Sequence, residues 1–306
     1  MGVFLVSVFV FIASCGDRSG QSESTSNATA PEITSSNTSN LTGDESEPLQ
    51  LTFGVYASDE PKDMVEQFRP VLDAIQVAMS ELLQQPVEIK TQVLSTYEEG
   101  ISSLTEGMVD FARFGPASYT IAKEMNPALI LVGVEQVKGG RTFYGVICVH
   151  EDSDIQSCQD LTGRSFAFGD DKSTIGRYLS QEYLVDCGIN ASALAKYDYL
   201  QRHDRVGDAV ARQEYDAGAL KESTFQKMVA GGSSLREVGR FPNVTKPWAA
   251  KSDLDPEVEA ALRRALLEMD DEAALKALKK SGFEAGNDSD YDPIRKAISR
   301  NDIFFQ

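Results

Sequence analysis

Over most of its length the chain alternates between short apolar runs and longer segments in which apolar residues recur every three or four positions. Residues 51–56 and 87–93 have the pattern of strands, and the segment between them, 63–83, has that of an amphipathic helix. A short helix is predicted at 97–107 and a strand at 109–114. Strands that alternate with helices predict parallel βαβ units, and therefore an α/β fold.

Two further apolar strands, 129–134 and 142–149, precede the acidic turn 150–154, which we predict to be a crossover into a second α/β unit. The elements predicted for that unit are, in order, a strand at 165–169, a helix at 173–186, a strand at 197–200, a helix at 204–213 and a strand at 217–220. A return crossover is predicted near 241–251, where the chain rejoins the first unit.

The insertion of one α/β unit into another predicts two lobes joined by two hinge crossovers. Lobe 1 is predicted to comprise residues 49–149 and 247–306, and lobe 2 residues 150–246. Ligands of open α/β sheets bind beyond the carboxyl ends of the strands. We therefore expect a ligand site in the cleft between the lobes.

The N-terminus has a different pattern, an apolar stretch at 3–12 followed by the small residues Ala13 and Ser14 and then by Cys15. The stretch is too short to span a bilayer, which takes about 20 apolar residues. It resembles a lipobox, so residues 1–15 are predicted to be a lipoprotein signal peptide and Cys15 the lipid-modified mature N-terminus. Because no Lys or Arg precedes the stretch, a plain cleaved signal and an uncleaved anchor remain as alternatives.

Residues 16–48 are rich in Ser, Thr, Asn and acidic side chains and contain almost nothing apolar to bury, so we predict a disordered tether. The formal net charge of the chain is -18, which disfavours nucleic acid as a partner. It does not disfavour a small anion, because distant surface charge is screened beyond about 10 Å and the donors inside a closed site decide the affinity.

Cysteine use excludes a disulfide scaffold. Cys148, Cys158 and Cys187 follow Cys15, which allows at most one internal bridge among the three, and no Cys-x-x-Cys spacing points to zinc. Cys148 lies in an apolar run and is expected to be buried. The sequence also lacks the glycine motifs of nucleotide-binding loops, so we expect neither a metal nor a cofactor.

The stretch 166–177 carries the most specific chemical signal in the chain. A strand ends in a turn of Gly and Asp, and a helix then begins with the hydroxyl side chains of Ser173 and Thr174. The first N–H groups of a helix have no partner within it and point beyond its N-terminus, which suits an oxyanion. The alternative is that Ser173 or Thr174 only caps its own helix.

A set of motifs in a fixed order resembles the phosphate, phosphite and phosphonate binding proteins of ABC transporters. The motifs are Tyr97-Glu98-Glu99-Gly100, Val109-Asp110-Phe111-Ala112-Arg113-Phe114-Gly115-Pro116, Phe143-Tyr144, Ser173-Thr174-Ile175-Gly176, His203-Asp204, Tyr215-Asp216-Ala217-Gly218-Ala219 and Asp290-Tyr291-Asp292-Pro293. The resemblance covers about residues 50–298. It implies a type II periplasmic-binding-protein fold, in which two α/β lobes joined by two hinge crossovers hold a ligand in the cleft between them.

The resemblance also implies ligand-binding residues in lobe 2. Ser173 and Thr174 match the first two hydroxyls of the family's Ser-Thr-Ser turn, whereas Ile175 replaces the third and leaves only its backbone N–H as a donor. His203 matches the family's histidine. Without the resemblance, a lone histidine at a helix start would more readily be taken as structural.

Tyrosine contacts of the family are matched by Tyr97 and by the pair Phe143-Tyr144. The alignment leaves open which member of the pair faces the cleft; Tyr144 is taken as the ligand contact, and core packing is preferred for Phe143. Family members that bind aminoalkylphosphonates hold the amine with acidic groups, and this chain has Ser223 and Lys246 in those regions. An ammonium group would lack a counter-charge there, so the resemblance favours a ligand without an amine.

The resemblance implies the solute-binding component of an ABC importer, which captures phosphite, phosphate or a small phosphonate and passes this phosphorus oxyanion to the permease. Under this hypothesis the protein is exported, periplasmic, lipid-anchored and monomeric, and it is not an enzyme. Two alternatives remain. A sensor would present bound ligand to a membrane receptor, and an enzyme could use the same fold, although the sequence has no nucleophile motif such as Gly-x-Ser-x-Gly.

Overall fold

The computed structural model describes residues 47–138 and 140–306 of the chain. The predicted signal peptide, 1–15 with Cys15, and nearly all of the predicted tether, 16–48, lie outside the described residues. Within the described residues, no helix is both long enough and apolar enough to cross a membrane.

Strands and helices alternate through most of the described chain, which confirms the predicted α/β class. The strands are β1 (Leu49–Tyr56), β2 (Val87–Leu94), β3 (Phe111–Arg113), β4 (Ile130–Gln136), β5 (Thr142–His150), β6 (Ser165–Phe168), β7 (Lys196–Tyr199), β8 (Ala217–Lys221), β9 (Leu235–Val244), β10 (Pro247–Ala250) and β11 (Gly282–Glu284). The helices are α1 (Pro61–Leu83), α2 (Tyr97–Thr105), α3 (Pro116–Met125), α4 (Leu179–Asp186), α5 (His203–Ala211), α6 (Glu222–Ala230), α7 (Pro256–Leu267), α8 (Glu272–Leu278) and α9 (Asp292–Ser299).

Lobe 1 is built on a mixed sheet whose strands, in the described part of the chain, follow the order β11-β4-β10-β3-β1-β2. β1 is parallel to β2 and β3, whereas β10 is antiparallel to β3 and β4. The apolar face predicted for α1 is confirmed, since Met64, Phe68, Ile75 and Met79 are buried. They pack with Phe53 of β1 in the core of the lobe.

Lobe 2 is built on a second sheet, with the order β7-β6-β8-β5-β9 among the described residues. We assigned residues 142–149 to lobe 1, and this assignment is wrong, because β5 is hydrogen-bonded between β8 and β9. The first crossover therefore lies between β4 and β5, and the acidic turn 150–154 belongs to lobe 2. An apolar run predicts a buried strand, but it does not predict which strands will pair with it.

The chain passes between the lobes twice more. β9 ends at Val244 and β10 begins at Pro247, so Thr245 and Lys246 lie between the two sheets, within the predicted 241–251. After α9, the turn Asn301–Phe305 packs on lobe 2, where Phe304 is buried against Phe168. Assigning all of 247–306 to lobe 1 is therefore wrong for the last turn, because the lobe 2 core buries this aromatic ring. We call residues 243–246 the return crossover.

Cys158 and Cys187 form a disulfide that joins two segments of lobe 2. Cys148 is a free, fully buried thiol in β5, as predicted from its apolar surroundings. Burial raises the pKa of this thiol to about 12, so it is unreactive at neutral pH.

Candidate functional site

Two adjoining cavities lie in the cleft between the lobes. The inner cavity, of about 20 Å³, is lined by residues from both lobes and from the return crossover: Tyr56, Tyr97, Gly115, Pro116, Phe143, Ser173, Thr174, Ile175, His203, Lys221, Asn243 and Lys246. The outer cavity, of about 720 Å³, shares Phe143, Lys221 and Lys246 with it. Because the inner cavity lies beyond the carboxyl ends of β1, β3 and β6, it is the candidate ligand site.

The turn after β6 uses Ser173 to begin a helix. The Oγ of Ser173 accepts a hydrogen bond from the N–H of Gly176 at 2.9 Å, so this residue caps its own helix, and its contact with a ligand stays a prediction. A π-helical turn, Thr174–Tyr178, leads into α4, whereas we predicted a continuous helix from 173. Turns of this kind occur frequently at functional sites.

Thr174 makes a hydrogen bond between the lobes rather than a cap. Its Oγ1 accepts from the N–H of Ala117, in the first turn of α3, at 2.8 Å. The hydroxyl of Tyr56 holds the same segment of lobe 1, because it accepts from the N–H of Gly115 at 2.6 Å. The proton of the Thr174 hydroxyl is left available for a ligand.

Tyr56 and Tyr97 form a stacked pair in lobe 1 at the inner cavity, with ring centroids 3.8 Å apart. Burial raises the pKa of Tyr56 to about 12 and that of Tyr97 well above its ordinary value. Both hydroxyls therefore keep their protons at neutral pH and can donate hydrogen bonds. Sequence reasoning missed Tyr56, because an aromatic residue that ends an apolar strand looks like any core residue.

His203 is the first residue of α5 and is buried between the lobes, at 3% exposure. Its backbone N–H donates to the carbonyl of Ser58 at 3.1 Å, whereas its Nδ1 has no hydrogen-bond partner among the described residues. Burial, and next the cation of Lys221, lower the pKa of His203 to about 3, so the imidazole is neutral at pH 7. A buried ring nitrogen without a partner is unusual in a native fold and calls for an explanation such as a ligand.

The return crossover contributes polar groups to the same place. Asn243 is 4% exposed and lines the inner cavity, yet neither its Oδ1 nor its Nδ2 has a hydrogen-bond partner in the part of the chain that the structure describes. The same holds for Oγ1 of Thr245. Sequence reasoning missed both residues, since a polar residue near a strand end usually marks a turn.

A buried ion cluster in lobe 1 adjoins the return crossover, and we call Arg113, Glu135, Trp248 and Lys280 the Glu135 cluster. Arg113 donates to both carboxylate oxygens of Glu135, at 2.6 and 3.0 Å, and Trp248 Nε1 donates to one of them at 3.2 Å. Lys280 Nζ lies 3.6 Å from the carboxylate. Burial opposes the ionisation of Glu135, but Arg113 and Lys280 outweigh it and lower the pKa of this carboxyl to about 2.

Ion pairs join the lobes around the cleft. Asp59 of lobe 1 pairs with Lys221 of lobe 2 and accepts a hydrogen bond from Thr224 at 2.9 Å. Burial opposes the ionisation of Asp59, but Lys221 and Thr224 help to lower its pKa to about 2. Two further pairs between the lobes are Glu60–Arg202 and Asp63–Lys227.

The structure brings most of the predicted ligand residues together. Those that line the inner cavity are Tyr97, Ser173, Thr174, Ile175 and His203. The side chain of Ile175 also belongs to the apolar core of lobe 2. Tyr144 lies on the outer cavity with the Arg240 guanidinium 5.2 Å from its ring, and it is Phe143 that reaches the inner one. Phe143 also packs against the apolar core of lobe 2, as preferred for it, so both members of the pair border the cleft and the ligand contact of Tyr144 stays a prediction.

Comparison of the sequence with known proteins finds its relatives among transport proteins. The profile of the family described as "ABC transporter, phosphonate, periplasmic substrate-binding protein" matches residues 53–291. The chain is 23% identical over 282 residues to the phosphate-import protein PhnD of Mycolicibacterium smegmatis, covering 81% of this chain and 84% of that one. It is 24% identical over 228 residues to the probable ABC transporter phosphite binding protein PhnD1 of Prochlorococcus marinus, covering 67% of this chain and 76% of that one.

A solved structure shows the same fold. The structure of PhnD1 from Prochlorococcus marinus in complex with methylphosphonate has a TM-score of 0.72 and 20% sequence identity, and the match covers 83% of this chain and 98% of that one. The predicted two-lobed periplasmic-binding-protein fold is thereby confirmed.

Proposed function

The chain belongs to the family of periplasmic substrate-binding proteins of phosphonate ABC transporters, and from that premise we propose that it captures phosphate, phosphite or a small phosphonate for import. It binds and releases this ligand without changing it, and its partner is an ABC permease in the membrane. The observation that carries the proposal is that buried polar groups with no partner among the described residues converge on the inner cavity, namely the Nδ1 of His203 and the amide of Asn243.

The ligands share a tetrahedral oxyanion, which needs several donors around it. The hydroxyl groups of Tyr97 and Thr174 and the backbone N–H of Ile175 are candidate donors from the two lobes, beside His203 and Asn243. A hydrogen bond to a charged acceptor contributes about 1.5–3 kcal/mol. An anion between the lobes collects such bonds from both, so its binding favours the closed arrangement.

His203 can offer a hydrogen bond to the ligand. Its pKa is low because burial penalises the imidazolium. The neutral imidazole carries one N–H, and with this proton on Nδ1 it donates to an anion oxygen. A bound anion also raises the pKa of His203, because the negative charge favours the imidazolium.

The residues beside the inner cavity favour a ligand without an amine. Ser223 lies on the outer cavity and Lys246 on both cavities, in the regions where relatives that bind aminoalkylphosphonates carry acidic groups. Lys246 would repel an ammonium group, so phosphate, phosphite or an alkylphosphonate suits the site better than 2-aminoethylphosphonate.

Titration calorimetry on the full chain carrying Cys15→Ser tests the proposal. The ligands are phosphate, phosphite, methylphosphonate and 2-aminoethylphosphonate, with sulfate as the control anion. At least one phosphorus oxyanion is expected to bind more tightly than sulfate, and His203→Gln is expected to weaken it about tenfold or more. Failure of all four ligands to bind would refute the proposed function.

Lipid anchoring through Cys15 is a second part of the proposal, supported by the lipobox-like sequence. Cys15→Ser is expected to move the protein from the membrane fraction to the soluble periplasmic fraction and to leave ligand affinity unchanged. The measurement is immunoblotting of both fractions, and retention of the variant in the membrane would contradict the anchor.

A further inference from the structure

Positive charge around the inner cavity is only partly balanced by protein carboxylates. Lys221 pairs with Asp59, and the cations of the Glu135 cluster share one carboxylate. Lys246 has no ion pair within 4.0 Å among the described residues. The carboxyl group of Asp170, on the lobe 2 turn, accepts a hydrogen bond from its own turn at 2.8 Å, and burial raises its pKa to about 6.

Lys246 is held among other cations. Its carbonyl accepts a hydrogen bond from the N–H of Glu135 at 3.0 Å, and its Nζ lies 5.8 Å from the centre of the Phe143 ring. Burial, and next the charges of Arg113 and Lys221, keep the pKa of Lys246 well below its ordinary range. A desolvated ammonium group in such surroundings is unfavourable until an anion compensates it.

Asn243 precedes Lys246 by three residues and lines the same cavity. Its side-chain amide offers two donors and one acceptor. Neither polar atom is bonded to any described residue. The return crossover therefore presents a charge and a hydrogen-bonding amide to one small volume, from a segment that none of the family-like motifs covers.

Building on the proposed function, we propose that Asn243 and Lys246 make the return crossover a part of the ligand site that discriminates between ligands by their charge. Lys246 pairs with the second negative charge of a dianionic head group, and the amide of Asn243 bonds to its oxygens. The site therefore prefers doubly charged oxyanions to singly charged ones of the same shape, and it disfavours ligands with a cationic substituent. Because these residues connect the lobes, the ligand also fixes the hinge segment.

The test is calorimetry at pH 8 with methylphosphonate, with methanesulfonate and with 2-aminoethylphosphonate. Methanesulfonate has the shape of methylphosphonate but a single charge. The protein is expected to bind methylphosphonate about tenfold or more tightly than either of the others. Lys246→Met, which keeps the side-chain length, is expected to weaken the binding of methylphosphonate about 10- to 100-fold and that of methanesulfonate less than about threefold.

Lys276→Met is the matched control, because it removes the same charge from an exposed position at the end of α8. It is expected to leave all three affinities unchanged. Asn243→Leu is a second variant. It is expected to weaken the binding of methylphosphonate and of methanesulfonate equally, so that the ratio of the two affinities is preserved.

Two results would overturn this inference, and they are distinguishable. If methylphosphonate binds and Lys246→Met leaves the ratio of the affinities for methylphosphonate and methanesulfonate unchanged, discrimination by charge is refuted while the proposed function stands. If the unaltered protein binds no phosphorus oxyanion at all, the proposed function fails and the inference fails with it.

Discussion

The Glu135 cluster and the return crossover are neighbours, joined by the hydrogen bond between the N–H of Glu135 and the carbonyl of Lys246. Both bury polar side chains. In the cluster, the carboxylate is bonded to Arg113 and Trp248 and has Lys280 beside it. Along the crossover, the side-chain polar atoms of Asn243 and Thr245 have no partner among the residues described, and the same is true of the nearby Nδ1 of His203.

The difference separates a group of residues that stabilises lobe 1 from a surface suited to a ligand. Buried polar groups in native proteins nearly always have partners, and each one left without costs about 1–3 kcal/mol. The complete cluster avoids this cost in the protein alone. The polar groups of the incomplete crossover are left to a bound ligand or to water, so the two regions are expected to respond oppositely to substitution.

The largest effect is expected from Glu135→Gln. The substitution leaves the buried cations Arg113 and Lys280 without their counter-charge, so the free energy of unfolding should fall by about 3–5 kcal/mol. Urea unfolding measures it. The control is Glu268→Gln, which breaks an exposed pair with Arg264 and should change stability very little. A loss below about 1 kcal/mol for Glu135→Gln would show that the cluster is not structural.

The next largest effect concerns pH and His203. The pKa of His203 is about 3 in the folded protein, whereas its ordinary value is 6.5. Between these pH values the imidazole is protonated in the unfolded chain but not in the native state, so the free energy of unfolding falls as the pH is lowered. The raised pKa of Asp170 has the opposite effect on stability, but this effect is present both in the unaltered protein and in His203→Gln, so it cancels when the two are compared. Between pH 7 and 5 the unaltered protein should lose about 2 kcal/mol more than His203→Gln.

Urea unfolding of both proteins at a series of pH values checks this difference. Saturating methylphosphonate should reduce it, because an anion beside His203 favours the imidazolium. Parallel curves for the two proteins would contradict the buried, neutral imidazole.

A smaller effect of opposite sign is expected from Asn243→Leu. The substitution removes an amide that has no partner among the described residues, so the protein without ligand should be unchanged or up to about 1 kcal/mol more stable. The rise in Tm that methylphosphonate produces should become smaller, because the variant binds this ligand more weakly. Differential scanning fluorimetry with and without ligand measures both, and a variant as destabilised as Glu135→Gln would remove the contrast between the two regions.

The last effect, similar in size to that of Asn243→Leu, is expected at Thr174, whose hydroxyl joins the lobes. Thr174→Val keeps the shape and removes the acceptor for the N–H of Ala117, so stability should fall by about 1 kcal/mol and ligand affinity should also fall. Thr174→Ser keeps the hydroxyl and should retain most of both. Equal behaviour of the two variants in thermal unfolding and calorimetry would show that this hydroxyl does not matter.

Much of the architecture could be predicted because it is local. The period of apolar residues predicted α1 and its buried face, and the polar turn before Ser173 predicted a helix start there. The same reasoning placed β5 in the wrong lobe. A run of apolar residues has the same appearance whether its hydrogen-bond partners are β4 or β8 and β9, so the pairing of β5 is a property of the whole chain.

The sequence by itself therefore determined the α/β class and many of the strands and helices, although it did not predict α3, α6 or β9. It also carried the resemblance to a transport family, and that resemblance pointed to five residues that line the inner cavity. Only the tertiary structure decided which polar groups meet there. Thr174 and Ala117 are 57 positions apart, and Asn243 is an ordinary polar residue until folding places it beside the cavity with no partner in the described part of the chain. Periodicity reports the burial of one segment, whereas a binding site depends on distances between segments that only the packed fold fixes.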